Sequence, residues 1–104
     1  MYKRRAHFLF VGPPERTRDA LEVTEAHVAD WIEGAALTRT QSDPALMAWA
    51  DVCVLLDDGP VFAGKTCRRW QLAENRTVRT QELVAALEGA VGGLRLLARS
   101  DPPE

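Results

Sequence analysis

The sequence predicts one α/β domain, a three-layer sandwich in which a four-stranded parallel sheet carries helices on both faces. Three observations predict it. His7-Phe8-Leu9-Phe10-Val11 and Val52-Cys53-Val54-Leu55-Leu56 are short, nearly continuous apolar runs, as strands buried on both faces of a parallel sheet must be. Strand-like and helix-like segments alternate along the chain. Gly-Pro stops follow both apolar runs, Gly12-Pro13-Pro14 after the first and Asp58-Gly59-Pro60 after the second.

The first strand is residues 7–11. Leu21, Val28, Trp31 and Ile32 recur at spacings that form one stripe of a helix, so a helix is expected next. Asp19 followed by Glu22 resembles a capping box at its start, and Gly34 is placed to end it. A second, shorter strand is expected over residues 35–40. Asp43-Pro44 reads as a helix cap followed by proline at the first helical position, opening a short helix with Leu46, Met47 and Trp49.

The clearest strand spans residues 51–57. A weaker one over 66–72 carries Arg68 and Arg69, which suits a sheet edge. An amphipathic helix over 81–91 presents Leu83, Val84, Leu87 and Val91 and is expected to stop at Gly92-Gly93. The domain is expected over residues 1–98, with 99–104, ending in Asp-Pro-Pro-Glu, as a flexible tail.

Composition bounds the function classes. The chain has 104 residues, 46% of them hydrophobic and 27% charged, an ordinary globular balance for one modest core. A net charge of -2 gives no global field for nucleic acid or an acidic membrane surface, so neither partner is expected. Lys3-Arg4-Arg5 reads as a solvated end or a gatekeeper beside a hydrophobic strand. No apolar run approaches the ~20 residues of a membrane span, and the first residues do not read as a signal peptide. Cys53 and Cys67 both fall in strand-like segments. A cytoplasmic protein with reduced thiols is expected.

In an open parallel sheet the working site lies beyond the carboxyl ends of the strands, near the switch point. The segment 12–18 is expected there. Phe8-Leu9-Phe10-Val11, a turn, and Arg18 at the start of a helix resemble the low-molecular-weight protein tyrosine phosphatases, whose signature is a cysteine, five residues and an arginine after an apolar first strand. Ala29-Asp30-Trp31 resembles the end of the first helix in short bacterial members of that family. Leu46-Met47-Ala48-Trp49-Ala50-Asp51-Val52 is similar to their junction before the third strand, and Glu82-Leu83-Val84-Ala85-Ala86-Leu87 to their closing helix.

The resemblance implies a phosphate-binding loop that has degenerated here. In an active member the cysteine thiolate attacks phosphorus while loop amides and the arginine hold the oxygens. With Arg18 in the arginine position, Gly12 takes the place of the nucleophile, and glycine cannot attack. Arg16 is the other candidate for the arginine, and no cysteine lies near either register. Pro13 and Pro14 remove two amide donors. Glu15 and Asp19 add negative charge where a phosphoryl group would sit, with Asp19 a candidate cap that occupies the anion site. Two unit charges about 4 Å apart interact by about 4 kcal/mol near a protein surface, enough to oppose what Arg16, Thr17 and Arg18 offer an anion. The family's general acid is an aspartate in the loop after the fourth strand, but residues 72–80 contain only Glu74 as an acid.

Phosphatase chemistry is therefore not expected. The expected function is that of a catalytically inactive binding or regulatory module with a protein partner. The alternatives are a reader of phosphorylated or anionic ligands through Arg16, Thr17 and Arg18, and a divergent phosphatase. No cofactor or metal is expected, because His7 and His27 have no ligand partners at suitable spacing. Exposed arginines beside a helix start more often pair with acids, here Glu15, Asp19 or Glu22. Asp57-Asp58 before Gly-Pro reads as a turn in preference to a cation site. Trp31 and Trp49 fit the core, and Trp70 is the aromatic expected to be exposed.

Overall fold

The structure, a computed structural model, describes residues 5–100, with side chains for residues 5–95. Lys3 and Arg4 of the basic run, and residues 101–104 of the expected tail, lie outside the described residues. Among the described residues four strands and three helices follow in the order β1 (Ala6–Val11), α1 (Pro14–His27), β2 (Ile32–Leu37), α2 (Pro44–Trp49), β3 (Val52–Leu55), β4 (Cys67–Arg69) and α3 (Arg76–Ser100). All strand pairs are parallel, in the order β2-β1-β3-β4.

Strand alternation sorts the core into two layers. Phe8 and Phe10 of β1, with Val54 and Leu56, pack against Ala20 and Val23 of α1 and Leu83, Leu87 and Val91 of α3. Leu9 and Val11, with Cys53 and Leu55, face the other way and are covered by Leu46, Met47 and Trp49 of α2. Both central strands are thus buried on two faces, which is why their sequences are continuously apolar.

The first helix begins at Pro14, five residues earlier than the Asp19-Glu22 pattern suggests. Pro13 and Pro14 supply the preset φ of a helix start, and no side chain caps it. Asp19 is therefore inside the helix. At the other end the helix stops at His27, and Trp31 and Ile32 do not extend its stripe. Residues 28–31 form a turn in which the Val28 carbonyl accepts from both Trp31 and Ile32 amides at 2.9 Å.

Gly34, expected to end this helix, sits inside β2 opposite Phe8. A β-carbon there would lie 3.0 Å from Leu21 and 3.1 Å from Phe10 side-chain atoms, so glycine lets both pack onto the strand. β2 accordingly runs Ile32–Leu37 in place of 35–40; its Glu, Gly and Ala residues have weak strand preference, and pairing with β1 overrides it.

Asp43 caps α2 as its sequence predicts, its carboxylate accepting from the Leu46 amide at 3.0 Å. β4 is limited to three residues, with Arg68 and Arg69 exposed at the edge. α3 begins at Arg76, where the Asn75 side chain accepts from the Val78 amide at 3.0 Å, and it passes through Gly92 and Gly93 without stopping. No described helix is long and apolar enough to cross a membrane.

Candidate functional site

β1 leads to β2 on one side and, past α2, the chain crosses to β3 on the other. The switch point lies between the carboxyl ends of β1 and β3, the position where open α/β sheets hold their ligands. A cleft of about 220 Å³ opens here, lined by Arg16, Leu56, Asp57, Asp58, Trp70, Gln71 and Leu72.

The turn after β1 is short. Gly12 has φ +156°, a conformation side-chain-bearing residues rarely adopt, and a β-carbon there would meet that of Leu56 at 3.2 Å. Its amide donates to the Leu37 carbonyl at 3.2 Å, while the Leu56 amide donates to Val11 at 2.8 Å. The turn is thus fixed between both neighbouring strands.

Helix α1 offers few donors to the cleft. Pro14 has no N–H, and the Arg16 and Thr17 amides both donate to the Pro13 carbonyl, at 3.0 and 3.1 Å. Of the first-turn amides, only that of Glu15 is left to meet an anion, and the Glu15 side chain is exposed. A cradle that holds three phosphoryl oxygens needs several convergent donors.

The three residues expected to bind an anion do not converge. Arg16 bends over the cleft, donating to the Leu56 carbonyl at 2.9 Å and to Glu74 at 2.6 Å. Thr17 is buried and its hydroxyl donates to the Pro14 carbonyl at 3.1 Å. Arg18 is exposed. Glu74, the one acid in the loop after β4, is the partner of Arg16 across 58 positions of sequence.

Asp19 is neither a cap nor an occupant of the site, as its place near the expected helix start had suggested. It is buried beside Arg79, whose Nε and Nη2 donate to Asp19 Oδ2 at 2.9 and 2.8 Å. Glu22, expected to neutralise Arg16 or Arg18, meets Arg76 at 3.4 Å. The acid that pairs with Arg16 and the arginines that pair with Asp19 and Glu22 come from the far end of the chain, so spacing along α1 gives no sign of them.

Trp70, expected to be exposed, is half-buried with its ring centroid 6.2 Å from that of Phe10. It forms part of the cleft wall. His7 stacks on Trp49 with centroids 4.3 Å apart, and His27 is exposed in the last turn of α1. Among the described residues no group of three or more His, Cys, Asp or Glu is placed to hold a metal ion.

No family model, curated protein or solved structure matches the chain.

Sequence reasoning missed the clamp beside the cleft. Arg39, between β2 and α2, donates through Nε and Nη2 to the two oxygens of Asp57 at 2.9 and 3.0 Å, and through Nη1 to the Pro60 carbonyl at 2.7 Å. Arg69 of β4 donates to the Asp57 and Gly59 carbonyls. The Gly59 amide donates to Asp57 Oδ1 at 3.1 Å, closing the turn that Asp57-Asp58-Gly59-Pro60 predicts. Arg39 holds the Asp57 carboxyl below the usual carboxylate range, against the opposing effect of burial. Nothing local marked Arg39, which lies 18 positions away.

Chemically the cleft is poor in reactive groups. Its arginine and its more buried acid are committed to other partners, and neither cysteine lines it. The only hydroxyl in the first turn of α1, that of Thr17, is buried and satisfied.

Proposed function

We propose that this protein is a catalytically inactive binding or regulatory module, a degenerate relative of the low-molecular-weight tyrosine phosphatases that acts through protein contacts. The observation that carries the reading is the Gly12-Pro13 turn. It bears no nucleophile, and the helix that follows leaves one first-turn amide without a backbone partner. The parallel sheet supports a phosphatase-like ancestry through the position of that turn at the switch point, where such a family keeps its cysteine. The proposal includes a cytoplasmic setting, in which the thiols of Cys53 and Cys67 stay reduced.

The test is hydrolysis of an aryl phosphate by purified protein across the full pH range. No turnover above buffer is expected. Turnover that scales with protein and persists through repurification would overturn the proposal in favour of a divergent phosphatase.

A second reading, a reader of phosphorylated or anionic ligands, is favoured by one observation. Arg18 is exposed near the start of α1 and makes no ion pair among the described residues. An amide chemical-shift titration with inorganic phosphate separates the two readings. Saturable shifts over residues 15–19 that disappear in Arg18→Ala support the reader. A flat titration of a well-dispersed spectrum supports the protein-binding module.

A further inference from the structure

Two thiols outside the cleft form a pair. Cys53 of β3 and Cys67 of β4 are direct partners in the parallel register of these strands. Both side chains belong to the core layer that faces α2. Adjacent strands run about 4.8 Å apart, which falls inside the ~4.4–6.8 Å window of Cα separations that a disulfide spans. Parallel partners keep their β-carbons near the same spacing, slightly beyond the ~4.5 Å upper end of a relaxed bridge. Closing the bond would draw the three-residue β4 toward β3 and leave the bond strained.

The surroundings differ for the two sulfurs. Cys53 is fully buried and its thiol is a neighbour of Met47 Sδ at 3.8 Å. Cys67 is half-buried, so a small oxidant reaches it first. The Phe62 amide donates to Cys67 Sγ at 3.4 Å, a contact that strengthens as the sulfur gains negative charge. Lys65, whose ammonium donates to the Ala50 carbonyl at 2.7 Å, adds positive charge nearby. Burial pushes the Cys53 thiol up, with Cys67 adding to the rise and Lys65 opposing it.

We propose that Cys53 and Cys67 are a redox-modification site that closes reversibly into a cross-strand disulfide under hydrogen peroxide. The Cys67 thiolate attacks one peroxide oxygen, the O–O bond breaks, and the departing hydroxide takes a proton to become water. Cys67 is left as a sulfenic acid. The Cys53 thiolate attacks that sulfur, the S–S bond forms and the S–O bond breaks, releasing a second water. The two thiols together lose two electrons and two protons, and one peroxide becomes two waters. Strain makes the bond easy to reduce, as in regulatory disulfides. β4 ends at Arg69, which holds the Asp57 carbonyl, and is followed by Trp70, which walls the cleft, so closure acts on the cleft as well.

The experiment treats the full chain with hydrogen peroxide, blocks remaining thiols by alkylation and maps the peptides. The expected product is a monomer whose mass has fallen by two hydrogens, with Cys53 and Cys67 peptides linked and the link undone by dithiothreitol. Closure is expected to speed up as pH rises, because the raised Cys53 thiol must ionise to attack. Cys53→Ala is expected to leave Cys67 oxidised to sulfenic or sulfinic acid without a link. If that variant does not fold, mapping of the unsubstituted chain alone decides. Sulfinic acid at Cys67 with Cys53 still alkylatable overturns the proposal. So does a dimer joined through Cys67, or a folded protein whose two thiols both survive treatment.

Discussion

Arg79 places two of its nitrogens on a single oxygen of Asp19, at 2.9 and 2.8 Å, joining residues 60 positions apart. Both side chains are buried, and this is the buried member of a set of ionic contacts between α3 and α1, in which the exposed Arg76 also meets Asp19 and Glu22, each at 3.4 Å. Nη1 of Arg79 also donates to the Glu74 carbonyl at 3.0 Å, so the guanidinium orders the loop that supplies the partner of Arg16. Removing Arg79 strips the buried carboxylate of both hydrogen bonds to Oδ2 and leaves it only the exposed Arg76, 3.4 Å from Oδ1. Arg79→Met is expected to destabilise the fold by about 3–5 kcal/mol. Asp19→Leu combined with Arg79→Met is expected to regain most of that loss. Urea unfolding of the single and double variants measures both, and additive losses would mean that the pair is not coupled.

Asp57 sets the acid limit of the clamp. Its folded pKa lies below the unfolded value of 3.8, mainly through the Arg39 hydrogen bonds, while burial works the other way. The stability it contributes is therefore present above 3.8 and is lost as pH falls through the lower folded value. In Arg39→Met the Asp57 carboxyl is expected to titrate at higher pH, and acid unfolding to begin earlier. Carboxyl carbon shifts followed through the titration check the sign. An unchanged Asp57 midpoint would assign the depression to the Gly59 amide and Arg69 instead.

Gly12 is held by its conformation and by Leu56. Gly12→Ala is expected to cost about 1–3 kcal/mol, the usual penalty for holding a side-chain-bearing residue in a sparsely populated backbone region. Under the proposed phosphatase ancestry Gly12→Cys restores a thiol at the nucleophile position, yet it is expected to stay inactive toward an aryl phosphate. The donors around it would still be too few. Thermal unfolding of the first variant and single-turnover assay of the second test the two statements separately.

The glycines of α3 behave differently. Apart from the adjoining backbone of its own helix, a β-carbon at Gly89, Gly92 or Gly93 meets no atom within 4 Å, and all three lie inside the helix. Replacing any one by alanine is expected to stabilise the protein by about 0.5–1 kcal/mol, through helix preference and a less flexible unfolded chain. A melting temperature raised in all three single variants confirms that the helix is continuous there. A fall at Gly92 or Gly93 would mean that the chain needs that glycine to bend.

Much of the fold was legible because burial writes directly into local pattern. β1 and β3 lie inside the sheet between helices, and their apolar runs say so. α2 announces itself through Asp43-Pro44, a signal that is wholly local. The boundaries that misled did so for physical reasons. Asp19 and Glu22 sit at capping-box spacing, but their partners are Arg79 and Arg76, acting across the domain. Gly34 resembles a helix stop, yet it is small because Phe10 and Leu21 press on the strand. Gly92-Gly93 likewise resembles a stop, and the helix runs through it.

Of the candidate site, only the backbone of the turn after β1 was legible in the sequence. Gly12 has no side chain and the two prolines have no amide donor, and both facts are local. That Arg16 would reach Glu74, that Arg39 would clamp Asp57, and that Trp70 would lean on Phe10 are all contacts between distant elements. No window of sequence contains both partners, so no periodicity or spacing can report them.

The strand order also constrains how the protein is made. β1 is a central strand and precedes both of its neighbours in the chain. As the polypeptide leaves the ribosome, Phe8-Leu9-Phe10-Val11 has one edge open until β2 is synthesised and the other until Leu55 has emerged. Asp19 waits longer still, for Arg79. Until Leu55 has emerged a strongly apolar strand edge is offered to any neighbour, and until α3 follows the Phe8 and Phe10 face lacks part of its cover, so nascent chains should be most dependent on chaperones before α3 is complete.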